Sequence, residues 1–191
     1  MAREKKSKKM MPQIFIFVEG ETEEIYFDRI KQLLRLPFKV RVIQATGNGN
    51  WIEKAMNTMR SPEFKDKEAK KVYVIFDKDN KSTEDLEKMS VQANKNKIKI
   101  GFSNTSFEVW ILSHFERLNE NLITQSELEK RISKHIGHKY SKTEKNTLNS
   151  IADSYQTAMK NSQDIANTDF GKQCTTIGHI LCNLEQLKPK R

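Results

Sequence analysis

Cysteine and long apolar runs are scarce in this sequence, and their scarcity excludes several classes of protein. Cys174 and Cys182 are the only cysteines. They fall in what we expect to be one late helix, about two turns apart and too far to form a disulfide within it. Two cysteines give no disulfide scaffold and no zinc site, so we expect a reducing, cytoplasmic environment. No apolar stretch approaches the roughly 20 residues of a membrane-spanning helix, and no signal peptide or membrane association is expected.

Positive charge is in excess along the chain. The sequence has 34 Lys and Arg residues against 25 Asp and Glu residues, which gives a formal net charge of +9. Such a balance favours a polyanionic partner, above all nucleic acid, although a merely solvated surface explains it equally well. Part of the excess lies in residues 1–12, which we expect to form a disordered basic tail.

Strand and helix patterns alternate through the first 120 residues. The apolar run at 13–18 is continuous, which is typical of a strand buried on both faces of a parallel sheet. Further strands are expected at 38–45, 72–76 and 98–102. Beyond residue 120 only helices are expected, at about 126–136, 147–165 and 176–187.

This alternation predicts an α/β fold whose mostly parallel sheet is flanked by helices. We place the α/β core at 13–120. An all-helical C-terminal extension at 121–191 is expected to pack on that core.

Acidic residues follow two of the expected strands. Glu19 comes directly after the first strand, and Asp77 and Asp79 end the third. Because the carboxyl ends of parallel strands share one edge, where ligands bind, these carboxylates can meet there. Carboxylate oxygens suit Mg²⁺ or Mn²⁺, and such an ion can activate water against a phosphodiester. Strand-end acids are also common as turn and helix-cap residues, and that alternative stays open.

Three further positions are candidates. Glu108 falls in the first turn of the helix after the fourth strand, and Glu23 falls in the first turn of the first helix, where acids also suit the helix dipole. His179, near the start of the last helix, can serve as a base or phosphate partner if it reaches the same edge. A basic region that includes Lys139 and Lys142 is either solvated or contacts phosphate.

Taken together, these segments resemble the RloB-like family, which includes the AbiLii-type abortive-infection proteins. Residues 19–23 (EGETE) are similar to the family's Glu-Gly-x-x-Thr-Glu opening, with one residue fewer. Residues 77–79 (DKD) are similar to its Asp-x-Asp strand end. The most specific segment, 103–110 (SNTSFEVW), is similar to its Ser-Asn-x-Ser-Phe-Glu-x-Trp signature, and 175–179 (TTIGH) resembles its final Thr-x-x-His.

The resemblance implies a Toprim-like sheet and a metal-dependent nuclease. It implies Glu19 as general acid/base or metal ligand, with Asp77 and Asp79 as metal ligands. Glu23 and Glu108 are implied as ligands of a second Mg²⁺ or Mn²⁺ ion. Two departures bear on the second ion and on His179: Thr105 stands where the family often has proline, and residues 173–174 (QC) replace a frequent Asn-Pro.

The leading hypothesis is therefore a hydrolase that cleaves DNA or RNA in anti-phage defence, as the effector of an AAA- or ABC-type ATPase encoded nearby. A homodimer is possible. The alternative is a non-catalytic nucleic-acid-binding or regulatory subunit with a Toprim fold, which explains the positive charge without any chemistry.

Overall fold

A computed structural model describes residues 13–43, 49–65, 70–79 and 81–188. The expected basic tail at 1–12 and the end of the expected second strand, residues 44 and 45, lie outside these ranges. The strands are β1 (Gln13–Val18), β2 (Phe38–Val42), β3 (Lys70–Asp77), β4 (Ile98–Asn104) and β5 (Cys174–Thr175). The helices are α1 (Glu21–Leu34), α2 (Trp51–Met59), α3 (Pro62–Lys65), α4 (Thr83–Lys95), α5 (Glu108–Ser113), α6 (Gln125–Ile136), α7 (Lys145–Ala152), α8 (Tyr155–Asn161) and α9 (Ile177–Glu185), with a 3-10 turn at Gln163–Ile165.

The five strands form one sheet in the order β2-β1-β3-β4-β5. Strands β1 to β4 are parallel, and β5 runs antiparallel to β4. The prediction of an α/β fold with a mostly parallel sheet flanked by helices is confirmed. Because β3 lies between β1 and β4, the carboxyl ends of all three strands are neighbours.

Each face of the sheet has its own apolar core. Along β1, Ile14, Ile16 and Val18 pack with α1 and the later helices, whereas Phe15 and Phe17 pack with residues of α2 to α4. A strand with two buried faces needs apolar side chains at every position, which is why the run at 13–18 is continuous.

The extension beyond residue 120 is not all-helical as expected: it contributes helices to one face of the sheet and one strand, β5, to its edge. The expected helix at 147–165 is interrupted after Ala152, where the Ser154 hydroxyl donates to the Ile151 carbonyl instead of continuing the helix. Cys174 lies in β5 rather than in the last helix, so the two cysteines do not share a helix, and both are free. Whether the core ends at residue 120 stays a prediction.

Helix α9 packs closely on β4 at a glycine. A Cβ atom on Gly101 would lie 2.9 Å from Ile177 Cδ1 and 3.0 Å from Ile75 Cγ1. The absence of a side chain at this position therefore sets how near the helix approaches the strand. None of the helices in the described ranges has the length and apolar character needed to cross a membrane.

Candidate functional site

Asp77 ends β3 and connects the ends of two other elements. Its Oδ2 accepts a hydrogen bond of 2.9 Å from the Phe107 backbone N–H, at the start of α5. Its own backbone N–H donates to Glu19 Oε2, just beyond β1, at 3.2 Å. The second carboxylate oxygen, Oδ1, is buried and has no hydrogen-bond partner among the described groups. An oxygen in that position lacks the compensation that buried polar atoms normally have.

Glu108 is the first residue of α5 and is 2% exposed. Its Oε2 accepts a hydrogen bond of 2.8 Å from the Ser106 hydroxyl. Its Oε1 accepts from the Tyr140 hydroxyl at 3.5 Å and lies 3.5 Å from Lys142 Nζ. The helical extension therefore supplies a hydroxyl and a cation to a carboxylate of the core.

Glu23 lies in the first turn of α1 and is 5% exposed. A Cβ atom on Gly20 would lie 3.1 Å from Glu23 Oε2. Glycine before the helix therefore leaves room for the Glu23 carboxylate to turn back over the helix start. Burial raises the pKa of Glu23 to about 7, and the nearby charge of Glu108 adds to the rise while Lys142 opposes it.

The carboxylates act on one another electrostatically. The pKa of Glu19 is raised to about 8, and burial is the largest cause, followed by a hydrogen bond with Asp79. Burial is the main reason why the pKa of Asp77 lies well above its ordinary range. The charges of Glu23, Glu108 and Glu19 raise it further. These four side chains therefore form one carboxylate cluster, and the exposed Asp79 lies beside it at Glu19.

A family model described as RloB-like protein matches residues 14–184, which is most of the chain. The chain belongs to the RloB-like family. The match contains all six predicted site residues of this RloB-like protein, together with Tyr140 and Lys142. No curated protein and no solved structure matches the chain.

In the RloB-like protein, five of the six predicted residues are brought together and His179 is not. Helix α9 begins beside Gly101 of β4, and its Asn183 accepts a hydrogen bond from Lys99, so it runs toward the amino end of that strand. Among the residues that the structure describes, none of the contacts joins His179 to the carboxylate cluster. The role implied for His179 stays a prediction.

His114, which follows α5, belongs to the core. Its Nδ1 lies 3.0 Å from the Trp110 carbonyl and its Nε2 lies 3.1 Å from the Tyr26 hydroxyl. The carbonyl is an acceptor only, so Nδ1 carries the proton and Nε2 accepts from the tyrosine. Burial lowers the pKa of His114 to about 4, and the side chain is neutral near pH 7.

The donor chemistry of the carboxylate cluster fits Mg²⁺ or Mn²⁺, which prefer carboxylate oxygens. A cation would neutralise acids whose pKa values are raised by one another, and it would give Asp77 Oδ1 a partner. Within 13–43, 49–65, 70–79 and 81–188, no three His, Cys, Asp or Glu side chains are already arranged as a metal site. Binding of an ion therefore requires side-chain adjustment, which the exposed Asp79 and half-buried Glu19 have room to make.

Tyr140 and Lys142 were not among the predicted site residues. Tyr140 is 32 positions from Glu108 in the sequence, and the path of the intervening chain is not encoded in any local pattern. The one sequence signal was the basic region that contains Lys139 and Lys142, which indicated phosphate contact without indicating where.

Proposed function

We propose that this RloB-like protein is a Toprim-type nuclease that depends on Mg²⁺ or Mn²⁺ and cleaves phosphodiester bonds of DNA or RNA. The observation that carries the proposal is the carboxylate cluster at the carboxyl edge of the sheet, where Asp77 has a buried oxygen without a partner. Strongly shifted acids in one place are typical of functional sites, because keeping several acids buried together lowers the stability of the fold.

Glu19, Asp77 and Asp79 would hold the ion, and Glu23 and Glu108 would supply further oxygens. When bound, the ion would make water more acidic and neutralise charge on the phosphodiester. The pKa of Glu19 is raised to about 8 without an ion, and a bound cation would lower it, so Glu19 as a ligand would be ionised. In its alternative role, as a general acid/base, Glu19 would exchange a proton while Asp77 and Asp79 hold the ion.

The biological setting is part of the proposal, and its support is the resemblance described for the sequence motifs. We place the protein in the cytoplasm, in anti-phage defence by abortive infection, as the effector of an AAA- or ABC-type ATPase encoded nearby. A homodimer is compatible with this role.

The test is a cleavage assay on a mixed panel of single-stranded and duplex DNA and RNA, with Mg²⁺, Mn²⁺ or EDTA, with and without the ATPase. We expect cleavage that requires the metal ion. Asp77→Asn keeps the size of the side chain and should lower the rate by about 100-fold or more. Asp28→Asn, a matched change at an exposed position of α1, should leave the rate unchanged. Equal rates for Asp77→Asn and the wild type would show that the assigned site is wrong.

The second candidate is a non-catalytic nucleic-acid-binding or regulatory subunit. Its support is the net charge of +9 together with acids that, among the described residues, are not arranged in advance as a three-ligand site. Salt-sensitive binding of nucleic acid without metal-dependent turnover would favour it over the nuclease.

A further inference from the structure

We propose that residues 137–145, from the end of α6 to the first residue of α7, form a clamp for the nucleic-acid backbone beside the carboxylate cluster. We name this stretch the α6–α7 segment. The inference rests on the proposed function, and it identifies the surface that holds the phosphates next to the one cleaved.

The α6–α7 segment is fixed at both ends and in the middle. Gly137 ends α6 in the left-handed region, at φ 78°, and its N–H donates to the Ser133 carbonyl at 3.0 Å. Tyr140 is 5% exposed, and its backbone N–H donates to Ser133 Oγ at 2.9 Å. Glu144 caps α7 by accepting from the backbone N–H groups of Asn146 and Thr147. The segment therefore presents its exposed side chains from a fixed backbone, and little ordering is needed on binding.

The exposed side chains of this fixed segment include three lysines at regular spacing. Lys139, Lys142 and Lys145 are all exposed. Lys142 Nζ lies between Glu108 Oε1, at 3.5 Å, and Glu129 Oε1, at 3.7 Å, which places a cation at the carboxylate cluster itself. Neither Lys139 nor Lys145 forms an ion pair with any residue that the structure describes. Compact ammonium groups of this kind suit phosphates, which they neutralise as point charges.

The charges that line the neighbouring groove along α1 indicate which surface binds the phosphates. A groove of about 1060 Å³ begins beside Lys145 and extends along α1 to Arg35. At the start of α1, near the cluster, its lining includes Glu21 and Glu24, which would repel a phosphate. The cations that line it along α1 come later in the helix and at its end, and they are Arg29, Lys31 and Arg35. The phosphates nearest the cleavage point are therefore assigned to the α6–α7 segment and not to α1.

The test measures binding in EDTA, where no cleavage occurs. The probes are fluorescein-labelled oligonucleotides of about 20 residues as single-stranded DNA, RNA and duplex DNA, followed by fluorescence anisotropy over a range of NaCl concentrations. The triple variant Lys139→Ala, Lys142→Ala, Lys145→Ala is compared with Lys95→Ala, Lys97→Ala, Lys99→Ala. The control removes the same charge from exposed positions at the amino edge of the sheet.

We expect the α6–α7 variant to bind at least about tenfold more weakly than the wild type. Its plot of log affinity against log salt should be shallower by about 2 for a single strand, because each lost phosphate contact removes about 0.7 from the slope. The control triple should keep the wild-type slope. A double variant, Lys139→Ala with Lys145→Ala, leaves the Lys142–Glu108 pair intact and should show about two thirds of the change in slope.

Equal losses in the two triple variants would overturn the clamp, since net charge alone would then explain binding. The same holds if the wild type binds none of the probes. Because binding is measured without metal, a clamp confirmed in EDTA stands even if no cleavage is found. Conversely, metal-dependent cleavage that is lost in Asp77→Asn supports the nuclease even if the α6–α7 variant binds normally.

Discussion

Glu23 and Glu108 have almost no contact with water, and both act on the charge of Asp77. Each additional ionised carboxylate at this point costs free energy, because burial removes hydration and the neighbouring charges repel. The positive charge of Lys142 offsets this free-energy cost only in part, since its ammonium group is exposed and shared between Glu108 and Glu129. The protein thus keeps an arrangement that destabilises its folded state, as functional sites often do.

Replacing Glu23 with glutamine tests this cost. At pH 8 and in EDTA, Glu23→Gln removes a buried charge whose pKa is raised to about 7, so the variant should be more stable by about 1 kcal/mol or more. The matched control is Glu21→Gln, an exposed position in the same helical turn. Thermal unfolding followed by circular dichroism measures both. Similar midpoints for the two variants would mean that Glu23 is not destabilising, and we also expect Glu23→Gln to lose cleavage.

At the scale of residues, the sequence allowed the acids to be predicted but not their partners. Glu19, Asp77 and Glu108 were predictable because parallel strands end at one edge, so that acids following different strands meet. Tyr140 and Lys142 reach Glu108 from a segment more than 30 positions away, and no spacing rule describes such a contact. The role considered for His179 rested on its place near the start of the last helix and on the family's final motif, and neither tells whether the side chain reaches the edge.

Among the elements, the contact between α9 and β4 depends most directly on a single residue. Gly101→Ala would place a methyl group 2.9 Å from Ile177 Cδ1 and 3.0 Å from Ile75 Cγ1, which forces the helix or the strand to move. We expect the variant to lose about 1–3 kcal/mol of unfolding free energy. Gly171→Ala is the control, because its Cβ would lie no closer than 3.5 Å to Asp169 Oδ1. Urea unfolding of the two variants measures the difference, and equal midpoints would contradict the close packing.

Strands and helices with strong periodic patterns were predictable, and short or interrupted ones were not. The four parallel strands have apolar runs long enough to detect. The two-residue β5 has none, since its place in the sheet comes from pairing of Cys174 and Thr175 with β4. The break between α7 and α8 depends on a local hydrogen bond of Ser154, which competes with a helix that the surrounding periodicity favours.

For the molecule as a whole, the raised pKa values make stability depend on pH. The folded pKa values of Glu23, about 7, and Glu19, about 8, exceed the ordinary value of 4.5, so the folded state binds more protons than the unfolded state. Unfolding free energy contributed by these groups therefore falls as pH rises above 4.5 and levels off above about pH 8. His114, with a pKa lowered to about 4, acts in the opposite direction between pH 4 and 6.5.

Between pH 6.5 and 8, the change in unfolding free energy with pH therefore comes from the carboxylates and not from His114. In EDTA we expect the unfolding free energy to decrease by about 1 kcal/mol or more across this window, and by less in Glu23→Gln. Urea titrations at several pH values measure the decrease. Stability that is constant or rises across the window would contradict the assigned pKa shifts.

Divalent ions should reverse this loss of stability. An ion that binds only the folded state stabilises it by about 2.7 kcal/mol at 100 times its dissociation constant. We expect Mg²⁺ or Mn²⁺ to raise the unfolding temperature at pH 8, to raise it much less at pH 5.5, and to have no effect on Asp77→Asn. Differential scanning fluorimetry is sufficient for the measurement. A shift of the same size in Asp77→Asn would place the ion elsewhere.

The pairing of Glu108 with Tyr140 and Lys142 also sets an order of events on the ribosome. Synthesis reaches Lys142 roughly 2 to 7 seconds after Glu108 at ordinary rates of about 5–20 residues per second. Strand β5 and helix α9, which cover β4, are translated later still. During that interval a nascent chain carries all the clustered acids but neither the proposed clamp nor the closed edge of the sheet. The proposed nuclease activity would thus be withheld until most of the polypeptide has been made.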